Sequence, residues 1–192
     1  MALLAALPRL EAVADLLLVD GILRIAEPAA VVLHVKDTPV FVSDVCAHDI
    51  DPTVDWLDAR GGVALAGRLR KALADQRLQV SADPFYTSAS AWWEMPETLR
   101  EEYAAAGLVI CKGDANYRRL IGDRHWAHTT PFPDLMRSYW PTSVCALRTC
   151  KSGVLVGVDA AVEASASASA TDVMSKWLTS GKHGVVSLAN IA

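Results

Sequence analysis

The sequence predicts an α/β protein with a largely parallel sheet, because strand-like and helix-like segments alternate along the chain. Two of the strand-like segments, at residues 30–35 and 108–111, are nearly continuous apolar runs, which is typical of strands buried on both faces. The chain has 192 residues, of which 52% are hydrophobic, so it can bury a substantial core. We therefore predict a single α/β domain over residues 1–192, without internal repeats.

The first helix is predicted over Leu10–Ile25, where apolar residues recur at helical spacing before Pro28. A doubly wound sheet usually opens on a strand, so this fold looks truncated at its N-terminus. The alternating Ala/Ser tract within 163–171 is predicted to be a flexible surface loop. Further helices are predicted at 49–57, 63–75, 97–106 and 115–120, and strands at 30–35, 78–81, 108–111, 143–147, 154–158 and 184–188.

Net charge, the opening residues and the cysteines limit the partners and the cellular location that can be expected. The formal net charge is −4, which argues against nucleic acid or an anionic membrane surface as a partner. The apolar opening stretch at residues 1–7 lacks a basic region and ends at Pro8, so it fits neither a signal peptide nor a membrane span. The four cysteines form no Cys-x-x-Cys pair, and we interpret them as buried free thiols. We expect a cytoplasmic protein.

Polar residues gather where three predicted strands end, which is where open α/β sheets bind ligands. Asp44 follows one strand-like segment, residues 112–118 follow the strand at 108–111, and Arg148 and Lys151 follow the strand at 143–147. Gly113 allows a tight turn into a helix whose free N–H groups favour an anion. Together, acids, cations and a helix start would suit a divalent cation and a phosphate.

Each of these residues also has a structural interpretation. Asp114 is either an N-cap or a metal ligand, and Arg148 and Lys151 are either solvated surface charges or phosphate ligands. Tyr117 either bounds a sugar or packs under the sheet. The histidines match no zinc spacing, so packing or surface roles are expected for them. The pair Trp92–Trp93 is expected to be a core plug or a pocket wall.

The chemistry-bearing segments match those of a known family. Residues 112–118 read Lys-Gly-Asp-Ala-Asn-Tyr-Arg, and residues 148–151 read Arg-Thr-Cys-Lys. They resemble the Lys-Gly-Asp-x-Asn-Tyr-Arg and Arg-Thr-x-Lys motifs of the DUF89 family, in its damage-control phosphatase ARMT1-like branch. The segments at 34–44, 92–96 and 181–185 also fit this family, in the family's order.

This resemblance implies a metal-dependent phosphatase, a phosphoric monoester hydrolase that acts on sugar phosphates such as fructose 1-phosphate. It implies a three-layer α/β/α Rossmann-like sandwich, and Mn, Co, Ni or Mg as the metal, of which manganese is the ion we single out. Asp44 would be a metal ligand and, with Asp114, catalytic. Family members have also been named protein-glutamate O-methyltransferases, but no Gly-rich strand-to-helix turn supports S-adenosylmethionine binding here. The substrate-binding residues would be Asp114, Ala115, Asn116, Tyr117, Arg118, Arg148 and Lys151.

The chain departs from the family pattern at its start. Relatives carry an Asp-Asn pair that supplies two metal ligands just before the helix that begins here near Leu10, and the alignment puts Ala6 and Leu7 in those places. The helical N-terminal domain of the family is not found in this sequence. Impaired hydrolysis is therefore expected, and the alternative is a non-catalytic remnant or fragment that binds a sugar phosphate or a partner.

Overall fold

A computed structural model describes residues 10–41, 44–168 and 177–191. The chain forms two compact units, Met1–Ser88 and Ala89–Ala192. Both units combine helices with parallel strands, so the predicted α/β class is confirmed. That residues 1–192 form one domain stays a prediction. Ala6 and Leu7, the positions aligned with the family's metal-binding pair, lie outside the described residues.

The first unit packs three helices around a pair of parallel strands. The two strands pair in parallel from Val31 opposite Leu78 to Val35 opposite Ala82. Helices and strands follow the predicted order, and their bounds are α1 (Leu10–Ile25), β1 (Val31–Val35), α2 (Ile50–Ala59), α3 (Val63–Ala74) and β2 (Leu78–Ala82).

The first helix buries one stripe of small and aliphatic side chains. Ala12, Leu16, Val19 and Leu23 recur every three to four residues along α1, and all four are buried. The last three belong to the core of the unit, together with apolar residues of α2, α3 and β2. An ion pair also joins α1 to α3, since Arg68 donates to both carboxylate oxygens of Asp20 at 2.7 and 2.8 Å.

The second unit contains a three-stranded sheet in the order β3-β4-β5. Strands β3 and β4 are parallel, with Lys112 opposite Leu147, whereas β5 runs antiparallel to β4. The elements are α4 (Glu97–Ala104), β3 (Val109–Lys112), α5 (Asp114–Leu120), α6 (Phe132–Arg137), β4 (Val144–Thr149), α7 (Ala160–Ala168) and β5 (Gly184–Ala189).

Aromatic rings form part of the core of the second unit. Trp92 is buried, with its ring 6.1 Å from that of Tyr103 and 5.4 Å from that of Trp140. The core-plug interpretation of Trp92 is thereby confirmed. The cysteines are free thiols, as predicted: Cys46, Cys111 and Cys150 are buried, and Cys145 is half-buried.

Two predicted elements are wrong. Residues 154–158 form no strand, because their backbone groups pair with partners outside a sheet. The backbone of Val156 hydrogen-bonds the Tyr117 hydroxyl. The N–H groups of Gly157 and Val158 donate to carbonyls of a loop at 2.8 and 2.9 Å. The predicted loop at 163–171 is helical as far as Ala168, where α7 ends. Alanine has the highest helix propensity, and no Pro or Gly interrupts this tract. Residues 169–171 lie outside the described residues.

No helix within the described residues has the length and apolar character needed to cross a bilayer.

Candidate functional site

The carboxyl ends of β3 and β4 lie side by side, because the two strands are parallel neighbours. The backbone N–H of Gly113 donates to the Leu147 carbonyl at 2.8 Å, which extends this pairing by one residue. Gly113 then adopts φ +109, a backbone conformation that residues with a side chain rarely adopt, and α5 begins at the next residue. The two polar segments predicted from the sequence therefore meet at one sheet edge.

A buried ion pair joins these two segments. The Nε of Arg148 donates to Oδ1 of Asp114 at 2.7 Å. The Arg148 side chain is 0% exposed and that of Asp114 is 16% exposed, so the pair is largely shielded from water. Breaking such a pair is costly, because the remaining charge would be buried without a partner.

The other donors of Arg148 also bind protein atoms. Its Nη1 donates to the Val154 carbonyl at 2.5 Å, and its Nη2 donates to the carbonyl and hydroxyl of Ser152 at 2.9 and 2.8 Å. The guanidinium carbon lies 4.6 Å from the centre of the Tyr117 ring. That Arg148 contacts the substrate stays a prediction, and every nitrogen of its guanidinium already donates to a protein atom. Its planar group is used inside the protein, where it holds the turn after β4.

Tyr117 lies in the core rather than on a pocket wall. It is 0% exposed, its ring stacks on that of Phe132 at 6.2 Å, and its hydroxyl donates to the Val156 carbonyl at 3.3 Å. Burial raises the pKa of this hydroxyl. Of the two interpretations of Tyr117, the structure supports packing for its side chain, and its place among the substrate-binding residues stays a prediction.

The remaining residues of α5 differ in what they offer a ligand. The side-chain amide of Asn116 donates to the Lys112 carbonyl at 2.8 Å, and Ala115 is half-buried. Arg118 forms a two-pronged ion pair with Asp123, with contacts of 2.7 and 2.6 Å. The hydrogen bonds that Arg118 donates to Asp123 raise the pKa of Arg118 and lower the pKa of Asp123. Asp123 was not predicted to belong to the site.

Lys151 is a predicted cation whose side chain faces solvent. Its backbone N–H lies 3.4 Å from Oδ1 of Asp114, while its side chain is exposed and forms no ion pair within the described residues. Ser152 donates from its hydroxyl to the same oxygen of Asp114 at 3.1 Å. Ser152 was not predicted to belong to the site, although a hydroxyl directly after the Arg-Thr-Cys-Lys motif was a signal for it.

Asp44 belongs to the first unit, where it lies near the end of β1. Its carboxylate lies 3.6 Å from Nζ of Lys36, which also donates to the Tyr86 carbonyl. The Asp44 side chain is 26% exposed, so an ion in solution can reach it. That Asp44 joins the residues of the second unit in one site stays a prediction.

Three side chains of types that can bind a metal ion follow Asp44 along the chain. One ligand atom each from Cys46, His48 and Asp49 lies within 4.8 Å of the others. The backbone N–H of Cys46 donates to the Asp49 carboxylate at 2.9 Å, in a reciprocal capping box around the short 3-10 turn Ala47–Asp49. This capping accounts for the proximity of Cys46 and Asp49.

The Asp44 carboxylate near β1 is the type of ligand that an oxygen-preferring metal ion binds. Asp44 offers a carboxylate, which Mg²⁺ and Mn²⁺ favour, whereas a thiol and an imidazole suit softer metals such as zinc. One carboxylate is fewer ligands than such an ion needs, and the two positions expected to complete the set, Ala6 and Leu7, carry no ligand atoms on their side chains.

The chain matches a known family over most of its length. The model of the damage-control phosphatase ARMT1-like domain matches residues 10–166. Proteins named Damage-control phosphatase ARMT1 are similar to it: that of Xenopus laevis is 34% identical over 185 residues, and that of Homo sapiens is 30% identical over 185 residues.

These alignments cover 93% and 91% of this chain, but 41% and 40% of the two relatives. The chain thus spans about two-fifths of the length of the curated relatives that it matches. With the family model covering more than half of its residues, the chain belongs to the damage-control phosphatase ARMT1-like family.

Proposed function

We propose that this chain supplies the phosphate-binding part of a metal-dependent phosphatase site for sugar phosphates such as fructose 1-phosphate. The observation that carries the proposal is the buried Arg148–Asp114 pair, which fixes the turn that bears Lys151 at the carboxyl edge of β3 and β4. Relatives over the same residues are named damage-control phosphatases, which supports phosphate ester hydrolysis as the reaction class.

Lys151 is the phosphate ligand in this proposal. Its ammonium is exposed while its backbone is tied to Asp114, so the charge is available and the main chain beneath it is fixed. A charge-assisted hydrogen bond contributes about 1.5–3 kcal/mol. Arg118 contributes a second cation, since its Nη1 donates to no atom of residues 10–41, 44–168 or 177–191.

Asp114 and Asp44 have separate tasks. One oxygen of Asp114 receives Arg148 and Ser152, which leaves Oδ2 to accept a hydrogen bond from a sugar hydroxyl or from the attacking water. Asp44 would hold the divalent cation, manganese by preference. When bound, that ion supplies charge neutralisation and a more acidic water. Arg148 positions Asp114 and the Lys151 turn without touching the substrate.

A second candidate function is phosphate binding with little or no turnover, as expected of a remnant or fragment of such an enzyme. The observation that favours it is the absence of ligand side chains at Ala6 and Leu7, where the resemblance places two of three metal ligands. The phosphate-binding residues do not depend on that pair. Protein-glutamate O-methyl transfer receives no support from the residues, and we do not propose it.

Binding and hydrolysis of fructose 1-phosphate by the Lys151→Gln variant test the proposal. We expect the dissociation constant to rise about 10- to 100-fold, because one charge-assisted hydrogen bond to phosphate is lost. The measurement is isothermal titration calorimetry, with phosphate release in manganese as the second readout. Lys71→Gln is the matched control, since Lys71 is an exposed lysine of α3 that pairs with Asp75 just after this helix. Equal affinity in both variants and the unaltered chain would refute the assignment of Lys151.

A further inference from the structure

The turn that follows α5 has an unusual backbone. Gly122 has φ +69 and Asp123 has φ +53, so two successive residues are left-handed. The turn is closed by the backbone N–H of Asp123, which donates to the Arg118 carbonyl at 2.7 Å. Asp tolerates this conformation better than most residues with a side chain, but it is still uncommon. Such a conformation persists only where the surroundings impose it.

A tryptophan side chain packs against the turn. A Cβ added to Gly122 would lie 1.8 Å from Cη2 of Trp93, so the indole ring packs directly against the glycine α-carbon. The ring is itself held, because Tyr139 meets it edge-on at 5.8 Å and the guanidinium of Arg124 lies 5.1 Å from its centre. Only glycine fits beneath the ring, and its positive φ suits the reversal of the chain at this point.

The reversal brings the Asp123 carboxylate back onto Arg118. Oδ1 accepts from Nε at 2.7 Å and Oδ2 accepts from Nη2 at 2.6 Å, so one whole edge of the guanidinium is bound. An exposed arginine otherwise samples many rotamers, and this two-pronged contact restricts them. The Nη1 group, which lies outside the clamped edge, keeps its two N–H donors available in the described part of the chain.

We propose that Asp123 is a positioning residue that presents Nη1 of Arg118 to the phosphate group of the ligand. This inference rests on the proposed function, in which Arg118 is the second cation of the phosphate site. The ligand class is a phosphate monoester, and the shared chemistry is the phosphate dianion. The competing hypothesis is that Asp123 blocks Arg118 and competes with phosphate for it, which predicts the opposite effect of neutralising Asp123.

The test is a double-mutant cycle on the full chain, read by calorimetric titration with inorganic phosphate and with fructose 1-phosphate. We expect Asp123→Asn to weaken binding about tenfold, which corresponds to 1.4 kcal/mol. Arg118→Lys should weaken it at least as much, since lysine cannot form the two-pronged contact. Adding Asp123→Asn to Arg118→Lys should change nothing further, because Asp123 acts through Arg118.

Asp134→Asn is the matched control, because Asp134 is a similarly exposed partner of an arginine, Arg137, in the same unit. Its affinity for phosphate should equal that of the unaltered chain. Should Asp123→Asn fail to fold by circular dichroism, Asp123→Glu carries the same test, since it keeps the charge and moves the carboxylate by one methylene.

The outcomes separate this inference from the proposed function. Unchanged or tighter binding by Asp123→Asn overturns the positioning role, as does an equal loss in the Arg118→Lys background. If Lys151→Gln weakens binding and Arg118→Lys does not, the phosphate site stands and the role of Asp123 is refuted. If the unaltered chain binds neither ligand, the proposed function and this inference both fail.

Discussion

The side chain of Arg148 joins three parts of the second unit: the start of α5 at Asp114, the turn at Ser152 and the backbone at Val154. We expect Arg148→Met to lower the free energy of unfolding by about 3–5 kcal/mol, because it leaves Asp114 without its cation in a largely buried place. Urea denaturation measures this change. Arg137→Met, which breaks an exposed pair with Asp134, should lower it by less than about 1 kcal/mol. Equal losses in the two variants would contradict the structural role of Arg148.

Single residues of the site could be predicted from the sequence in part. The types and spacing of Asp114, Arg148 and Lys151 indicated a phosphate site, and the parallel pairing of β3 and β4 brings them to one edge. The spacing did not reveal that Arg148 and Tyr117 face inward. That depends on the buried contacts of Val154 and Val156, which come from a segment predicted to be a strand. Asp123 escaped prediction because its contact with Arg118 requires two left-handed residues.

At the scale of the elements, one ion pair connects α1 to α3. Asp20 is 7% exposed and accepts two hydrogen bonds from Arg68, which lower the pKa of its carboxyl. Such a carboxyl, whose pKa is lower in the folded than in the unfolded protein, stabilises the fold at pH values above its unfolded pKa, which is about 3.9. This stabilisation is lost as the pH falls through the lower, folded value.

Replacing this carboxylate should therefore cost stability in a pH-dependent way. We expect Asp20→Asn to lower Tm by several degrees at pH 7, with a difference from the unaltered chain that shrinks as the pH falls below about 4. Thermal unfolding between pH 7 and pH 3 measures the effect. Asp55→Asn, at an exposed pair with Arg70, is the control and should shift Tm little. A difference that stays constant with pH would show that the charge of Asp20 is not the cause.

The helices and strands also show which structures local sequence patterns can predict and which they cannot. The helix Leu10–Ile25 is confirmed at the predicted residues because its apolar spacing is local information. Whether residues 154–158 form a strand depends on which groups pair with their backbone. Here the partners are the carbonyls of a loop and a tyrosine hydroxyl, and not a neighbouring strand. An apolar run alone cannot distinguish a buried strand from a buried irregular segment.

At the scale of the whole molecule, the residues named in the proposed function are distributed over both units of the chain. Asp44 belongs to Met1–Ser88, whereas Asp114, Arg118 and Lys151 belong to Ala89–Ala192. The family and the fold class could be predicted from motifs distributed over the whole chain, because each motif is recognisable on its own. A metal site is different, since its ligands must come together from distant positions, and two of them are expected at residues that carry no donor.

Restoring the metal-binding pair tests how far that deficiency limits the reaction. We expect Ala6→Asp with Leu7→Asn to raise manganese-dependent phosphate release from fructose 1-phosphate roughly hundredfold or more, because metal stabilisation of the transition state amounts to several kcal/mol and each 1.36 kcal/mol is a factor of ten. The chain contains its own control, since Ala2 and Leu3 are the same two residues in the same order. Ala2→Asp with Leu3→Asn should leave the rate unchanged, and Asp44→Asn should abolish the gain of the restored pair. Rapid manganese-dependent hydrolysis by the unaltered chain would show that the alignment of Ala6 and Leu7 with the metal ligands is wrong. An equal gain from both double variants would instead attribute the effect to added negative charge near the N-terminus.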